Sequence, residues 1–235
     1  MNYRSEAITS LLKSTSQPLV VLDLELRGVA ADVVLTDQAP GIEGAVAHVA
    51  SLGHKRVAIL SFSRSVRSGR ELHAGFEAVS KRLGITMIVQ AIIPFDGIIP
   101  RTGWTMTERA VGAGATAISS LTAVPVTIGA LQDRKEQGIR VRNDVSLIVY
   151  DYEELGLVME PSPSGIVRPV EECAWRVSRL FIGRSANWNA SRRVEVAKTR
   201  FLTRVSAGTC PRTKQALRGL TLSRRSEPAG QSSVQ

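Results

Sequence analysis

Of the three histidines in this chain, His54 most invites a chemical reading, because it sits in Ser51-Leu-Gly-His-Lys-Arg-Val-Ala-Ile-Leu60 between a basic pair and an apolar run. An imidazole at such a point is either a proton carrier or metal ligand, or a polar group that ties down a bend. No second histidine or carboxylate stands at metal-ligand spacing from it. Gly53 ahead and the apolar run behind place it on a helix-to-strand connection, so it reads as a turn residue bonded to backbone. Cys173 and Cys210 are too few and too far apart for a metal site or a disulfide framework. The stretch Gly112-Ala-Gly-Ala-Thr-Ala117 has the spacing of a dinucleotide-binding fingerprint. That fingerprint follows a strand and opens a helix, whereas this one follows a helix and enters a strand, so its glycines read as helix breakers. There is no nucleophile elbow, phosphate loop or matched carboxylate pair. The residues therefore point to no catalysis, no metal and no cofactor.

The elements that must hold these residues alternate regularly. A helix at Ser5–Ser16 precedes an apolar strand at Leu19–Asp23, and a second strand at Val33–Asp37 leads into a helix over Gly41–Leu52 with Ile42, Ala45, Val49 and Leu52 on one face. Strand Arg56–Phe62, helix Ser68–Leu83 and strand Thr86–Pro94 continue the pattern. Helix Thr102–Val111, strand Thr116–Ser120, helix Val124–Gln137 and strand Val145–Tyr150 extend it. Strands that are apolar throughout and separated by helices require parallel sheets covered on both faces. After Tyr150 an irregular loop to Pro163 breaks the rhythm. A short strand near Gly165, a helix from Val170 to about Phe181, and strands near Val194 and Phe201 follow, as if the chain crossed back to an earlier lobe.

Composition bounds the rest. With 235 residues, 43% hydrophobic and 22% charged, the chain has the balance of a soluble globular protein with one large domain or two lobes. No apolar run reaches membrane-spanning length and Met1-Asn-Tyr-Arg-Ser-Glu has no signal-peptide character, which predicts a cytoplasmic protein. The net charge of +9 invites a nucleic-acid reading. Yet from Pro211 to Gln235 there are five basic residues against one acid, so nearly half of the excess lies in a polar tail that reads as disordered.

Several stretches then converge on one family. Leu52-Gly-His-Lys-Arg-Val-Ala58 followed by a strand and by Ala74-Gly-Phe76 resembles the effector-binding core of LacI/GalR-type transcriptional regulators. Asn143-Asp-Val-Ser-Leu-Ile-Val-Tyr-Asp151 resembles that family's DVSxxGFD strand, and Pro161-Ser-Pro-Ser-Gly-Ile-Val-Arg-Pro169 its PxLTTVxxP crossover. Phe201-Leu-Thr-Arg-Val-Ser206 resembles its LxxRxS segment. These matches run in order from about Pro18 to Pro211.

The resemblance implies an α/β fold of two doubly wound parallel-sheet lobes, of the periplasmic-binding-protein-like type, joined by crossing strands around a small-molecule effector such as a sugar. It implies a first lobe at 1–36 and 166–195, a second at 37–165 and 196–210, and the tail at 211–235. The family's helix-turn-helix head and first strand-helix units have no counterpart ahead of Met1, so the first lobe is expected to be incomplete, with an open edge and face, and operator DNA is expected to be read only through such a head. A homodimer built on the helices at Thr102–Val111 and Val124–Gln137 is expected by analogy. Ligand-facing positions are Ser68, Arg70, Asp96, Asp151 and Arg168. The family's Arg three residues before the glycine of RxxGF is here Leu72, and its Asn-Asp ahead of AxGAL falls on Ala123 and Val124. Those exchanges remove groups that hold sugar hydroxyls and leave room for an anionic ligand on Arg70 and Arg168. A transporter's solute-binding protein and a fragment that only pairs with longer relatives are the alternative readings.

Overall fold

The computed structural model describes residues 3–24, 28–62, 64, 67–93, 98–122, 124–136, 140–150, 155–157 and 159–211. The first helix, α1 (Tyr3–Ser14), precedes β1 (Val20–Leu22) and β2 (Asp32–Asp37), as the apolar runs predict. Then α2 (Ala39–Ser51), β3 (Arg56–Phe62), α3 (Arg67–Arg82), β4 (Thr86–Ile93), α4 (Pro100–Gly112), β5 (Ala117–Leu121), α5 (Val124–Glu136) and β6 (Ser146–Tyr150) alternate without a break. The chain closes with β7 (Ser164–Val167), α6 (Val170–Ala186), β8 (Val194–Lys198) and β9 (Arg200–Leu202).

Local chemistry sets the joints. The Asp37 carboxylate accepts the Ala39 N–H at 3.0 Å and Pro40 occupies the first turn of α2, where its missing donor costs nothing. At the far end Gly53 takes φ +84°, a left-handed turn that releases the chain towards β3. Gly114 does the same between α4 and β5 with φ +83°. The second glycine of the apparent dinucleotide fingerprint is therefore a helix stop, as its context implies.

The strands form two sheets. The larger has the order β4-β3-β5-β6-β7-β9 and the smaller β1-β2-β8. All pairings are parallel except β7 with β9. The large sheet is covered on both faces: Val57, Ile59 and Ala117 pack with Ile42, Leu72 and Phe76 beneath α2 and α3, while Ala58, Leu60 and Ile118 pack with Ala110 and Val126 beneath α4 and α5. The small sheet has the open face expected of an incomplete first lobe. α6 covers one face, where Val34 and Ala197 meet Cys173 and Leu180. Across the sheet, Val194 and Val196 are 51% and 47% exposed.

Two further readings are corrected. α6 continues beyond Phe181 to Ala186, because Arg184 turns inward to the buried Asp32 and holds the last turn. The crossings expected at 165/166 and 195/196 lie later: β7 stays in the large sheet through Val167, and β8 stays in the small one through Lys198. Hydrogen bonding carries each strand to its end, which a hydrophobic pattern alone does not locate. The expected tail, from Arg212 onward, lies outside the described residues.

Candidate functional site

His54 is architectural, and more extensively than a turn residue need be. Its ring is buried, with Nδ1 2.9 Å from the Thr116 hydroxyl and Nε2 2.9 Å from both the Gly208 carbonyl and the Ser146 hydroxyl. Gly208 N–H in turn donates to Ser146 Oγ at 3.0 Å. The imidazole thus fastens the returning C-terminal segment to the starts of β5 and β6, the end of the sheet remote from the loops that carry ligands in such folds. Burial lowers its pKa below the ordinary value, opposed by the bond to Gly208 and aided by His48.

The strand ends that carry ligands in such folds lie at the opposite edge. Parallel strands place the C-terminal ends of β3, β5, β6 and β7 along one rim of the large sheet, and those of β1, β2 and β8 along one rim of the small sheet. The two rims face each other, since side chains bond between them. Tyr150, the last residue of β6, donates its hydroxyl to Gln38 Oε1 at 3.1 Å just after β2. Arg168, just after β7, donates to Asp23 Oδ2 at 3.3 Å just after β1. Asp23 holds its carboxylate there by taking a left-handed φ of +52° and accepting the Thr36 N–H and hydroxyl at 2.6 and 2.7 Å. Open α/β sheets bind small molecules outside such strand ends.

The sequence-predicted residues distribute unevenly along these rims. Ser68 and Arg70 lie in the first turns of α3, half-buried and exposed respectively, and Arg70 reaches back to the Arg64 carbonyl at 3.3 Å. Arg168 stands on the same rim with β5 and β6 between it and β3, roughly 14 Å away at the usual strand spacing. Asp96 and Asp151 lie outside the described residues. Leu72, at the position where the resembling family carries arginine, is fully buried with Phe76 in the apolar cluster under α3. A hydroxyl trio gathers at the end of β5, Ser120 bonded to Thr127 at 2.9 Å and to Thr122 at 3.3 Å, and Ala123 lies outside the described residues. Asp23, Gln38, Tyr150 and this trio were not read from the sequence. The one available signal was Asp23 and Asp37 each closing an apolar run.

No group of three or more His, Cys, Asp or Glu side chains able to hold a metal occurs among the described residues. None of their helices is long and apolar enough to cross a membrane.

Residues 46–207 match the family described as periplasmic binding protein-like domain, over more than half of the chain. The chain belongs to that family. Among curated proteins this periplasmic-binding-protein-like chain is 28% identical over 169 residues to the HTH-type transcriptional regulator AscG of Escherichia coli (strain K12), covering 71% of this chain and 50% of the relative. It is 25% identical over 195 residues to the ribose operon repressor of Haemophilus influenzae, covering 81% and 58%. It therefore spans about half the length of the curated relatives it matches. A solved LacI family transcriptional regulator from Enterococcus faecium, described with bound ribose, superposes with a TM-score of 0.75 at 23% identity, covering 87% of this chain and 75% of that one. The curated relatives uphold the resemblance to the effector-binding core of LacI-type regulators, and the family match and the solved structure uphold the periplasmic-binding-protein-like fold.

Proposed function

We propose that this chain is the effector-binding and dimerisation core of a cytoplasmic LacI-type transcriptional regulator, without enzymatic activity, and that a small polar metabolite binds between its lobes. The observation that carries this reading is the pair of facing strand-end rims, bridged at Arg168–Asp23, with Gln38 at the exit of β2 held by Tyr150 of the opposite rim. Ser68, Arg70 and Arg168 are the described residues assigned to the ligand, with Asp96 and Asp151 completing the set. A ligand that draws the rims together favours one lobe angle over another and, in a dimer, changes the spacing of paired DNA-reading heads.

The burial of Leu72 in the core and the cationic Arg70 on the rim favour an acidic sugar or a sugar phosphate over a neutral polyol. Calorimetric titration with ribose, ribose 5-phosphate and a sugar acid tests this. Heat with the anionic ligands, reduced at least tenfold in affinity by Arg70→Gln, is expected, and heat with none of them overturns the ligand reading. For the dimer, Trp104 on α4 and Ile128 on α5 present apolar surface at 42% and 39% exposure. Sedimentation is expected to show a two-fold assembly that Trp104→Glu dissociates.

A further inference from the structure

The chain passes between the lobes three times: at Asp37–Gln38 from β2 to α2, at Arg168–Pro169 from β7 to α6, and at Thr199 from β8 to β9. The first and third passages touch through one buried side chain. Thr199 donates its N–H to the Asp37 carbonyl at 3.0 Å, the last rung of the small sheet. Its hydroxyl donates to that same carbonyl at 2.9 Å and accepts the Gly41 N–H at 3.2 Å, in the first turn of α2. A single oxygen therefore joins the end of the small sheet to the first helix of the large lobe. Gly41 makes the approach possible: a Cβ there would lie 2.7 Å from Thr199 Oγ1 and 2.5 Å from Ile166 Cγ2.

The ties on either side differ in what they hold. Gln38, one residue beyond Asp37, is fixed to the large lobe by the buried Tyr150 hydroxyl. Arg168, on the second passage, is fixed to the small lobe by Asp23. Rotation of one lobe against the other must then turn about the Asp37–Thr199–Gly41 junction, because the residues before it move with the small sheet and those after it with the large one.

We propose that the Thr199 hydroxyl is the pin of the inter-lobe hinge and sets the resting angle of the lobes, with the Tyr150–Gln38 bond as its stop on the large-lobe side. A hydroxyl donates through its O–H and accepts at its lone pairs, and rotation about its C–O bond lets it hold the two segments while they swivel. A methyl in its place fills the same volume and holds neither. The proposal is independent of which effector the cleft takes.

Spin labels at Ser178 on α6 and Lys81 on α3, both exposed, report the lobe angle by electron–electron double resonance in a Cys210→Ser background of the full chain. Thr199→Val is expected to shift the mean distance outside the wild-type distribution and to broaden it. Thr199→Ser, which keeps the oxygen, is expected to restore the wild-type distribution, and Tyr150→Phe to broaden it less than Thr199→Val. A wild-type distribution in folded Thr199→Val, or an equal shift in Thr199→Ser, overturns the pin. Should Thr199→Val fail to fold, Tyr150→Phe decides: it deletes one hydroxyl and no packing, and an unchanged distribution overturns the proposal.

Discussion

The two lobes are stabilised by different physics. Six strands in the large lobe are packed on both faces, and the side chains that fill it, Phe76, Leu72, Ile59, Ile118 and Leu147, are almost wholly apolar and fully buried. In the small lobe, among the described residues, Val34 and Ala197 of the strands form a buried cluster with Cys173 and Leu180 of α6, flanked by Val20 and Val177. Charge makes up part of the difference. The fully buried Asp32 accepts from Arg184 and from Arg193, the latter at 2.6 Å, while Arg184 and Arg193 also bond the carbonyls of Trp188 and Leu180. Glu195 is held at 2.9 Å by Arg176 and at 2.5 Å by Arg179, which lies over the Trp175 ring. A sheet with little apolar surface to bury is fastened to α6 by ion pairs to its strands, whereas the ion pairs of the doubly covered sheet's lobe lie on its helices and loops.

That contrast can be broken most strongly from the apolar side. Phe76→Ala is expected to cost about 4 kcal/mol, because the ring is fully enclosed and its removal leaves a cavity. Urea denaturation followed by Trp104 in the large lobe should show it, and a loss under about 1 kcal/mol would mean that the cluster is loosely packed. Asp32→Ala, the matching change in the small lobe, is expected to cost about 3 kcal/mol, since two guanidinium groups lose the buried carboxylate that compensates them. Followed by Trp175 and Trp188, its effect should exceed that of Cys173→Ala in the same lobe.

Acid separates the lobes by their titrating groups. His48, His54 and His73 all belong to the large lobe, and burial is the leading cause that lowers each pKa from the usual 6.5. The unfolded chain takes up these protons first, so their contribution is complete above pH 6.5 and is lost as the pH falls below that value towards the folded pKa values. In the small lobe, burial alone would raise Asp32 and Glu195, but hydrogen bonds from Arg184 and Arg193, and from Arg179 and Arg176, outweigh it and hold both low. Their contribution is present above pH 4.5 and is lost as the pH falls further, as it is for Asp144, which Arg140 holds low on the large lobe. Thermal melts from pH 7.5 to 3 should therefore fall first in the signal of Trp104. An earlier fall in that of Trp175 and Trp188 would contradict the assignment. The smallest effect is expected for Glu195→Gln, about 0.5 kcal/mol and reduced by salt, since Arg179 is half-exposed.

Much of the fold was legible before any coordinates. The limits of β3 follow from its apolar run, and the left-handed stop of α2 from Gly53. The bland reading of His54 was also available, because an isolated imidazole on a helix-to-strand joint has no partner for chemistry. What could not be read was which distant groups meet. The Gly208 carbonyl that His54 bonds lies 154 positions along the chain, Asp23 is 145 positions from Arg168, and Gln38 is 112 from Tyr150. Ser68 and Arg70 stand at the start of α3, after β3, and their distance from Arg168 depends on the strand order, which puts β5 and β6 between β3 and β7.

By itself the sequence determined the repeating strand–helix units, their parallel sense and the family, because the side-chain period and the turn residues are local properties that survive without neighbours. The tertiary structure decided which lobe each returning strand joins, which sheet face stays open, and that Arg168 faces a carboxylate of the other lobe. Those outcomes depend on hydrogen bonds and charges brought together across more than a hundred residues, and no local pattern encodes such a meeting.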